Sequence, residues 1–168
     1  DMAGTIMFGQ EFLTGDDVVT GERIDNDGNF VEDENYYVTG ALEYDSGEDY
    51  VIGWPDIKWL LPNFGDKRER KFGAYVFPDD VDVDIEITLN DELKPISLPK
   101  SFNIETSEFR ANGEWKFIKD KRRLMGKLSH TMLKSLVSAL EFSKNYQAVE
   151  ATENWIERDI DMSLDPSV

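Results

Sequence analysis

Residues 80–89 alternate polar, mainly acidic side chains with aliphatic ones, and this is the stretch of the chain most suited to binding a charged partner. Because successive side chains of a β-strand point to opposite faces, a strand here would carry all its carboxylates on one face, about 6.6 Å apart. The carboxylates are those of Asp80, Asp82, Asp84 and Glu86. The other face, from Val81 to Leu89, would be apolar, and we predict that it belongs to the core.

A regular row of carboxylates is suited to a basic surface. Phosphates follow one another at about 3.4 Å along each strand of a nucleic-acid duplex, so the row could imitate such a strand in the basic cleft of a nuclease. Complementary charges of this kind accelerate association and contribute specificity. The alternative is a solvated face on an edge strand, where the charge only prevents aggregation.

Two further acidic segments, residues 25–34 and 45–49, are predicted to extend the same negative surface through Asp25, Asp27, Glu48 and Asp49. The first segment partly matches a calcium-binding EF-hand loop, in which Asp25 and Asp27 would be ligands. Arg23, however, occupies the position where that loop begins with a carboxylate. We therefore interpret residues 26–29 as a turn and predict no metal site there.

No catalytic signature accompanies these carboxylates. His130 is the only histidine and the chain has no cysteine, so the usual zinc ligand sets cannot form and disulfides are excluded. Neither a serine-nucleophile motif nor a phosphate-binding glycine loop is present. With 35 acidic residues a catalytic carboxylate pair stays open as an alternative, but no pair stands out. We predict a non-enzymatic protein without a cofactor, in which His130 is a partly buried structural residue.

The overall charge agrees with a basic partner. The chain carries 35 acidic and 18 basic residues, a net charge of −17. Residues 1–56 contain 15 acidic residues and a single basic one, whereas residues 114–134 have a net charge of +5. Such acidity disfavours direct binding to nucleic acid or to anionic membranes. No apolar run approaches the length of a membrane span, and the first residues lack a signal-peptide pattern, so we expect a cytoplasmic protein.

A second function remains open from the sequence: a β-barrel protein that binds single-stranded nucleic acid. Its bases would stack on aromatic side chains, and its phosphates would meet the basic segments 67–71 and 116–127. The candidate aromatic residues are Tyr36, Tyr37, Tyr44, Tyr50, Trp54 and Trp59. The acidity of residues 1–56 argues against this alternative, because it would repel the phosphates.

The elements that would position these residues are mainly β-strands. Glycines punctuate short segments rich in Val, Ile, Thr, Tyr and Phe over residues 5–52, which is typical of hairpins. Strands are predicted at 5–8, 18–20, 36–44, 50–54, 72–77, 80–89 and around 102–104, with a hairpin loop at 45–49. A single domain is expected, β-rich over residues 5–112 and helical over residues 114–161.

The helical prediction depends on one apolar stripe. Met125, Leu128, Met132, Leu136 and Leu140 recur at three- and four-residue spacing, which favours a helix over residues 117–147 and a second helical piece at 149–160. The predicted fold is α+β: an antiparallel sheet or partly closed barrel of about six or seven strands, packed by a long C-terminal helix.

The sequence matches no family pattern that would name a function. Its charge favours an acidic binding protein that occludes a basic partner, by analogy with toxin-neutralising immunity proteins and with the DNA-mimicking inhibitors that phages produce. The partner would be a basic protein such as a nuclease, and the contact residues would be the acidic side chains of segments 25–34, 45–49 and 80–86.

Overall fold

The computed structural model describes residues 5–8, 11–14, 19–28, 30–35, 50–54, 57–89 and 93–164. The strands are β1 (Thr5–Phe8), β2 (Glu11–Thr14), β3 (Val19–Ile24), β4 (Phe30–Asn35), β5 (Tyr50–Ile52), β6 (Ala74–Tyr75), β7 (Asp80–Thr88), β8 (Leu93–Pro95), β9 (Phe102–Glu105), β10 (Phe109–Ile118), β11 (Arg123–Met132), β12 (Leu136–Val137) and β13 (Ile160–Leu164). Helix α1 spans Ala139–Ile156, and short 3-10 turns span Lys58–Leu60 and Lys119–Lys121. The α+β class is confirmed.

A four-stranded antiparallel sheet in the order β7-β11-β10-β9 is the largest sheet of the described chain. Its register is unbroken: β7 pairs with β11 from Asp80↔Thr131 to Thr88↔Arg123. Strands β10 and β11 form a long hairpin closed at Lys119–Lys121, where Arg122 adopts a left-handed conformation with φ of 49°. Strands β7 and β9 are its edges among the described strands, so the sheet is not a closed barrel.

The smaller sheets are also antiparallel. They have the strand orders β5-β13-β8, β6-β12, β3-β4 and β1-β2. The predicted strand at 5–8 is confirmed, and β3 begins within the predicted strand at 18–20. The strands predicted at 50–54, 72–77, 80–89 and around 102–104 are confirmed with the bounds 50–52, 74–75, 80–88 and 102–105. The predicted strand at 36–44 and the loop at 45–49 lie outside the described residues. The single-domain organisation stays a prediction.

The helix predicted over 117–147 is wrong for most of its length. Residues 109–118 and 123–132 are strands, so the β-region extends beyond residue 112, and α1 begins only at residue 139. Met125, three residues before Leu128, lies on the other face of β11, so the stripe fits the strand only in part. Leu128 and Met132, four residues apart, share one face of a strand as readily as one face of a helix, and on β11 Leu124 joins them. Those three side chains are buried on β11, whereas Leu136 and Leu140 lie beyond the strand and are exposed.

The start of α1 has a local cause that the sequence carries. Ser138 is the N-cap, and its Oγ accepts a hydrogen bond from the backbone N–H of Glu141 at 3.3 Å. Ser followed three residues later by Glu is the spacing of a capping box. The second predicted helical piece is the end of this same helix, which stops at Ile156 and is followed by β13 rather than by more helix.

Helix α1 packs against β9 and β10 on the apolar face of the four-stranded sheet. Phe142 of the helix and Phe109 of β10 are fully buried there. Three tryptophans fill the adjoining part of the core: Trp54 lies 4.9 Å from Trp115 and 6.1 Å from Trp155 between ring centroids. Dispersion and burial over such large rings supply much of the stabilisation of a small core.

Two glycines make room for these rings. A Cβ on Gly113 would overlap the ring of Trp155, and a Cβ on Gly126 would lie 2.9 Å from the rings of Trp54 and Trp115. Both glycines are buried on the core side of the central strands. Both glycines are therefore sites where an aromatic ring rests directly on the sheet backbone.

A buried polar network attaches α1 to the turn between β9 and β10. Asn145 is fully buried; its Nδ2 donates to Glu108 Oε2 at 2.9 Å and to the Glu141 carbonyl at 2.9 Å. Its Oδ1 accepts from Thr106 Oγ1 at 2.6 Å. Glu108 and Thr106 are themselves buried, so Asn145 satisfies polar groups that water cannot reach.

We predict that Asn145→Ala lowers the free energy of unfolding by about 2–3 kcal/mol, because it leaves the buried Glu108 carboxylate and Thr106 hydroxyl without this partner. Lys144→Ala, at the exposed neighbouring position, is the control and should change it by less than about 0.5 kcal/mol. Urea unfolding followed by tryptophan fluorescence measures both values. Equal stability of the two variants would contradict the structural role of the network.

Candidate docking surface

The acidic ladder, defined as Asp80, Asp82, Asp84 and Glu86, is confirmed as one face of a strand. All four residues are exposed on β7, and the intervening aliphatic residues are half-buried. Val83, Ile85 and Ile87 pack against the core cluster, and Leu89, just past the strand, is buried. The alternation therefore has the predicted consequence: one row of carboxylates faces away from the core.

Side chains of the neighbouring strand β11 contact three of these carboxylates, two through hydrogen bonds and one through an ion pair. Thr131 Oγ1 donates to Asp80 Oδ1 at 2.8 Å, and Ser129 Oγ donates to Asp82 Oδ1. Each hydroxyl lies directly opposite its carboxylate in the strand register. These cross-strand hydrogen bonds restrict the rotamers of the ladder.

An ion pair occupies the other end of the ladder. Arg123 Nη1 lies 2.8 Å from Glu86 Oε1. Arg123 is paired with Thr88 in the register, so this ion pair runs diagonally between the two strands. Asp84 stands opposite Lys127, and among the described residues no hydrogen bond or ion pair joins them. The side chains of Asp84, Glu86, Met125 and Lys127 border a shallow open depression. Asp84 is thus the ladder carboxylate most available to an incoming cation.

The outer face of the sheet is not uniformly acidic. The basic segment 116–127, predicted as the start of a helix, lies on β10, on β11 and on the turn between them. Its outward side chains on β11 lie beside the ladder. The basic residues on this face are Arg110, Lys116, Arg123 and Lys127, of which Lys116 pairs with Glu114 at 3.0 Å. The negative charge is therefore concentrated at the β7 edge, and the centre of the face is compensated.

The first acidic segment forms a separate hairpin turn. Asp25 Oδ1 accepts the backbone N–H of Asp27 at 2.9 Å, the Asp25 carbonyl accepts the N–H of Gly28 at 3.1 Å, and Gly28 has φ of +83°. This is turn geometry, as predicted. Strands β3 and β4 pair in their own two-stranded sheet, so the topology does not join Asp25 and Asp27 to the ladder. Glu48 and Asp49 lie outside the described residues.

Of the aromatic residues proposed to stack bases, Trp59 is 77% exposed, and Tyr36, Tyr37 and Tyr44 lie outside the described residues. On β10 the aromatic residues Trp115 and Phe117 face the core side, opposite the outward Lys116, and Trp54 is buried. In segment 67–71, Arg68 is tied to α1 by a 2.8 Å ion pair with Glu150. The outer face of the four-stranded sheet therefore carries basic groups without the aromatic faces that stacking of bases requires. Phe72, which follows the basic segment 67–71, is exposed, and the single-stranded nucleic-acid alternative stays a prediction.

A second surface, which the sequence reasoning missed, is apolar. Tyr75 of β6 lies opposite Leu136 of β12, and these side chains are 69% and 72% exposed. Further exposed apolar residues near them in the chain are Phe72, Phe77, Leu133 and Leu140. The stripe that predicted a helix had placed Leu136 and Leu140 in the core, and that was wrong. A strand at 72–77 implies that Val76 points away from Tyr75 and Phe77, but the sequence does not show which of the two faces is covered.

His130 is more deeply buried than the sequence predicts. It lies on the core face of β11, 1% exposed, near the ring of Phe109, and neither ring nitrogen has a hydrogen-bond partner among the described residues. Burial lowers the pKa of His130 below its usual 6.5, although the carboxylates of Asp79, Asp80 and Asp82 act in the opposite direction. A neutral, structural histidine follows from this environment.

No metal site or membrane span is found in the described part of the chain. Within it, no group of three or more His, Asp or Glu side chains is arranged to hold a metal ion. The one helix there that reaches 18 residues is too polar to cross a bilayer. No family model, curated protein or solved structure matches this chain.

We predict that stability falls as the pH drops below about 6.5, because His130 takes up a proton in the unfolded chain at a higher pH than in the folded protein. In His130→Leu this contribution disappears. The loss of unfolding free energy between about pH 7.5 and about pH 5.5 should shrink by up to about 1.4 kcal/mol. Urea titrations of both proteins at several pH values measure it; parallel pH dependences would contradict the assignment.

Proposed function

We propose that this protein is a non-enzymatic binding protein whose acidic ladder occupies the basic surface of a protein partner. The observation that supports this proposal most strongly is the exposed, evenly spaced row of four carboxylates on β7, at the edge of the four-stranded sheet. The cytoplasm stays the expected compartment. The partner class is that of nucleic-acid-binding proteins, whose Lys and Arg residues hold phosphates.

Preorganisation of the ladder supports this proposal. A flexible acidic loop must lose side-chain entropy when it binds, whereas Asp80, Asp82 and Glu86 are already held by Thr131, Ser129 and Arg123. The remaining acceptor sites of each carboxylate oxygen stay open to a partner's cations. A row held in this way favours a partner whose basic groups are themselves regularly spaced.

Competitive occlusion is the mechanism that this arrangement supports. The ladder would neutralise Lys and Arg side chains that otherwise bind substrate, as an immunity protein or a DNA mimic does. The acidic residues Asp25, Asp27, Glu48 and Asp49 would act at a distance, because their negative field accelerates encounter with a basic protein. Their role would then be strongest at low ionic strength.

We predict that the triple variant Asp82→Ser, Asp84→Ser and Glu86→Ser binds an immobilised oligolysine peptide at least about tenfold more weakly than the unmodified protein, because it loses the charges closest to the cations. The matched control is Asp66→Ser, Glu69→Ser and Asp120→Ser, which removes the same charge from other exposed positions. Biosensor titration should show less than about a threefold loss for the control.

The same titrations should be salt-dependent. Affinity of the unmodified protein should fall steeply between about 50 mM and about 300 mM salt, since exposed charges are screened over that range. Equal losses in the two triple variants would show that only net charge matters and that the ladder is a solvated face. A gel shift with labelled single-stranded DNA separates the two function classes, because an acidic binding protein should not shift it.

A further inference from the structure

Strand β7 has an unpaired side in the described structure. It lies at the end of the order β7-β11-β10-β9, with β11 on one side and no described strand on the other. The strand is nine residues long and contains no proline, and its register with β11 has no bulge. Long, regular edge strands are templates for pairing with another chain.

The hydrogen bonds at the two ends of β7 show which backbone groups face this free side. The Met132 N–H donates to the Asp79 carbonyl at 2.9 Å, and the Leu89 N–H donates to the Arg122 carbonyl at 2.8 Å. In an antiparallel ladder, bonded pairs alternate along the strand. With the unbroken register, the odd-numbered residues of β7 therefore bond to β11, and the even-numbered ones direct N–H and C=O outward.

The outward backbone groups and the carboxylates belong to the same residues. Asp80, Asp82, Asp84 and Glu86 each present a side chain on the outer face and an N–H and C=O along the free edge. A strand paired there would meet both at once. The aliphatic residues between them, such as Val83 and Ile85, are only half-buried, so the same strand would also cover them.

Charge decides what can occupy this edge. A second copy of β7 would bring carboxylates opposite carboxylates, which is destabilising on a sheet face. Residues directly opposite one another in paired strands share a face, so the favourable occupant has basic residues opposite Asp82, Asp84 and Glu86. Apolar residues should occupy the alternate positions, opposite Val83 and Ile85.

We propose that β7 binds its partner by strand addition: an extended segment alternating Lys or Arg with apolar residues becomes a fifth strand of the sheet. This inference rests on the proposed function and adds the binding mode. Backbone hydrogen bonds supply affinity, and the alternating side chains supply specificity, as in other cases where a peptide extends a sheet.

Backbone methylation of a peptide probe tests the binding mode. The probe is an eight-residue peptide alternating Lys and Val; two derivatives carry N-methyl groups either on all lysines or on all valines. Only one set of N–H groups can point at β7: those of the lysines in an antiparallel complex, those of the valines in a parallel one. We expect one derivative to lose at least about tenfold in affinity and the other less than about threefold.

The outcomes separate this inference from the proposed function. If both methylated peptides bind as the parent does, strand addition is wrong, while binding by charge stands. If a peptide alternating Ser and Val binds as well as the Lys and Val peptide, binding by charge is wrong too. Equal weakening by both methylation patterns also overturns strand addition, since only one edge of the peptide should matter.

Amide hydrogen exchange on the unmodified protein tests independently whether a peptide pairs with β7. The amides of Asp82, Asp84 and Glu86 should exchange rapidly in the free protein and slow by at least about tenfold with the peptide. Those of Val83, Ile85 and Ile87, already bonded to β11, are the internal control and should be protected in both states. Protection of the even-numbered amides in the free protein would show that the edge is already paired and would overturn the proposal.

Discussion

The antiparallel hydrogen-bonded register between β7 and β11 is the constraint on which the rest of the described structure depends. It sets Asp80, Asp82 and Glu86 beside Thr131, Ser129 and Arg123, and it turns the aliphatic side chains of β7 toward the core. A shift of one residue would reverse every side chain of the strand. The strong contrast between its two faces makes such a shift unfavourable, because it would bury four carboxylates and expose four aliphatic residues.

The core on the other side of the sheet imposes a second constraint. Trp54, Trp115 and Trp155 lie over Gly113 and Gly126, where a side chain would collide with a ring. Because the rings rest on the backbone of β10 and β11, the sheet there is packed closely on its inner face. The outer face keeps its polar side chains, and helix α1 is held in place through Asn145 and the β9–β10 turn.

The proposed function uses both faces of this arrangement. A carboxylate row on a mobile loop would attract cations without specifying their spacing, whereas a row on a sheet anchored by a tryptophan core has a fixed spacing. The compensating basic residues of β10 and β11 confine the negative field to the edge. The free backbone groups are at that same edge, so charge and hydrogen bonding would act on one extended partner segment.

The sequence by itself determined the ladder, its strand and its two faces, because strict alternation over 80–89 fits one periodicity only. It also determined the turn at 25–28 through residue chemistry. It could not determine the state of residues 114–132, because leucines and methionines spaced by four satisfy a helix and a strand equally. Pairing with β7 and β9 decided that question, and with it the position of the basic residues beside the ladder and the burial of His130. These are contacts between residues far apart in the chain, and local spacing carries no information about them.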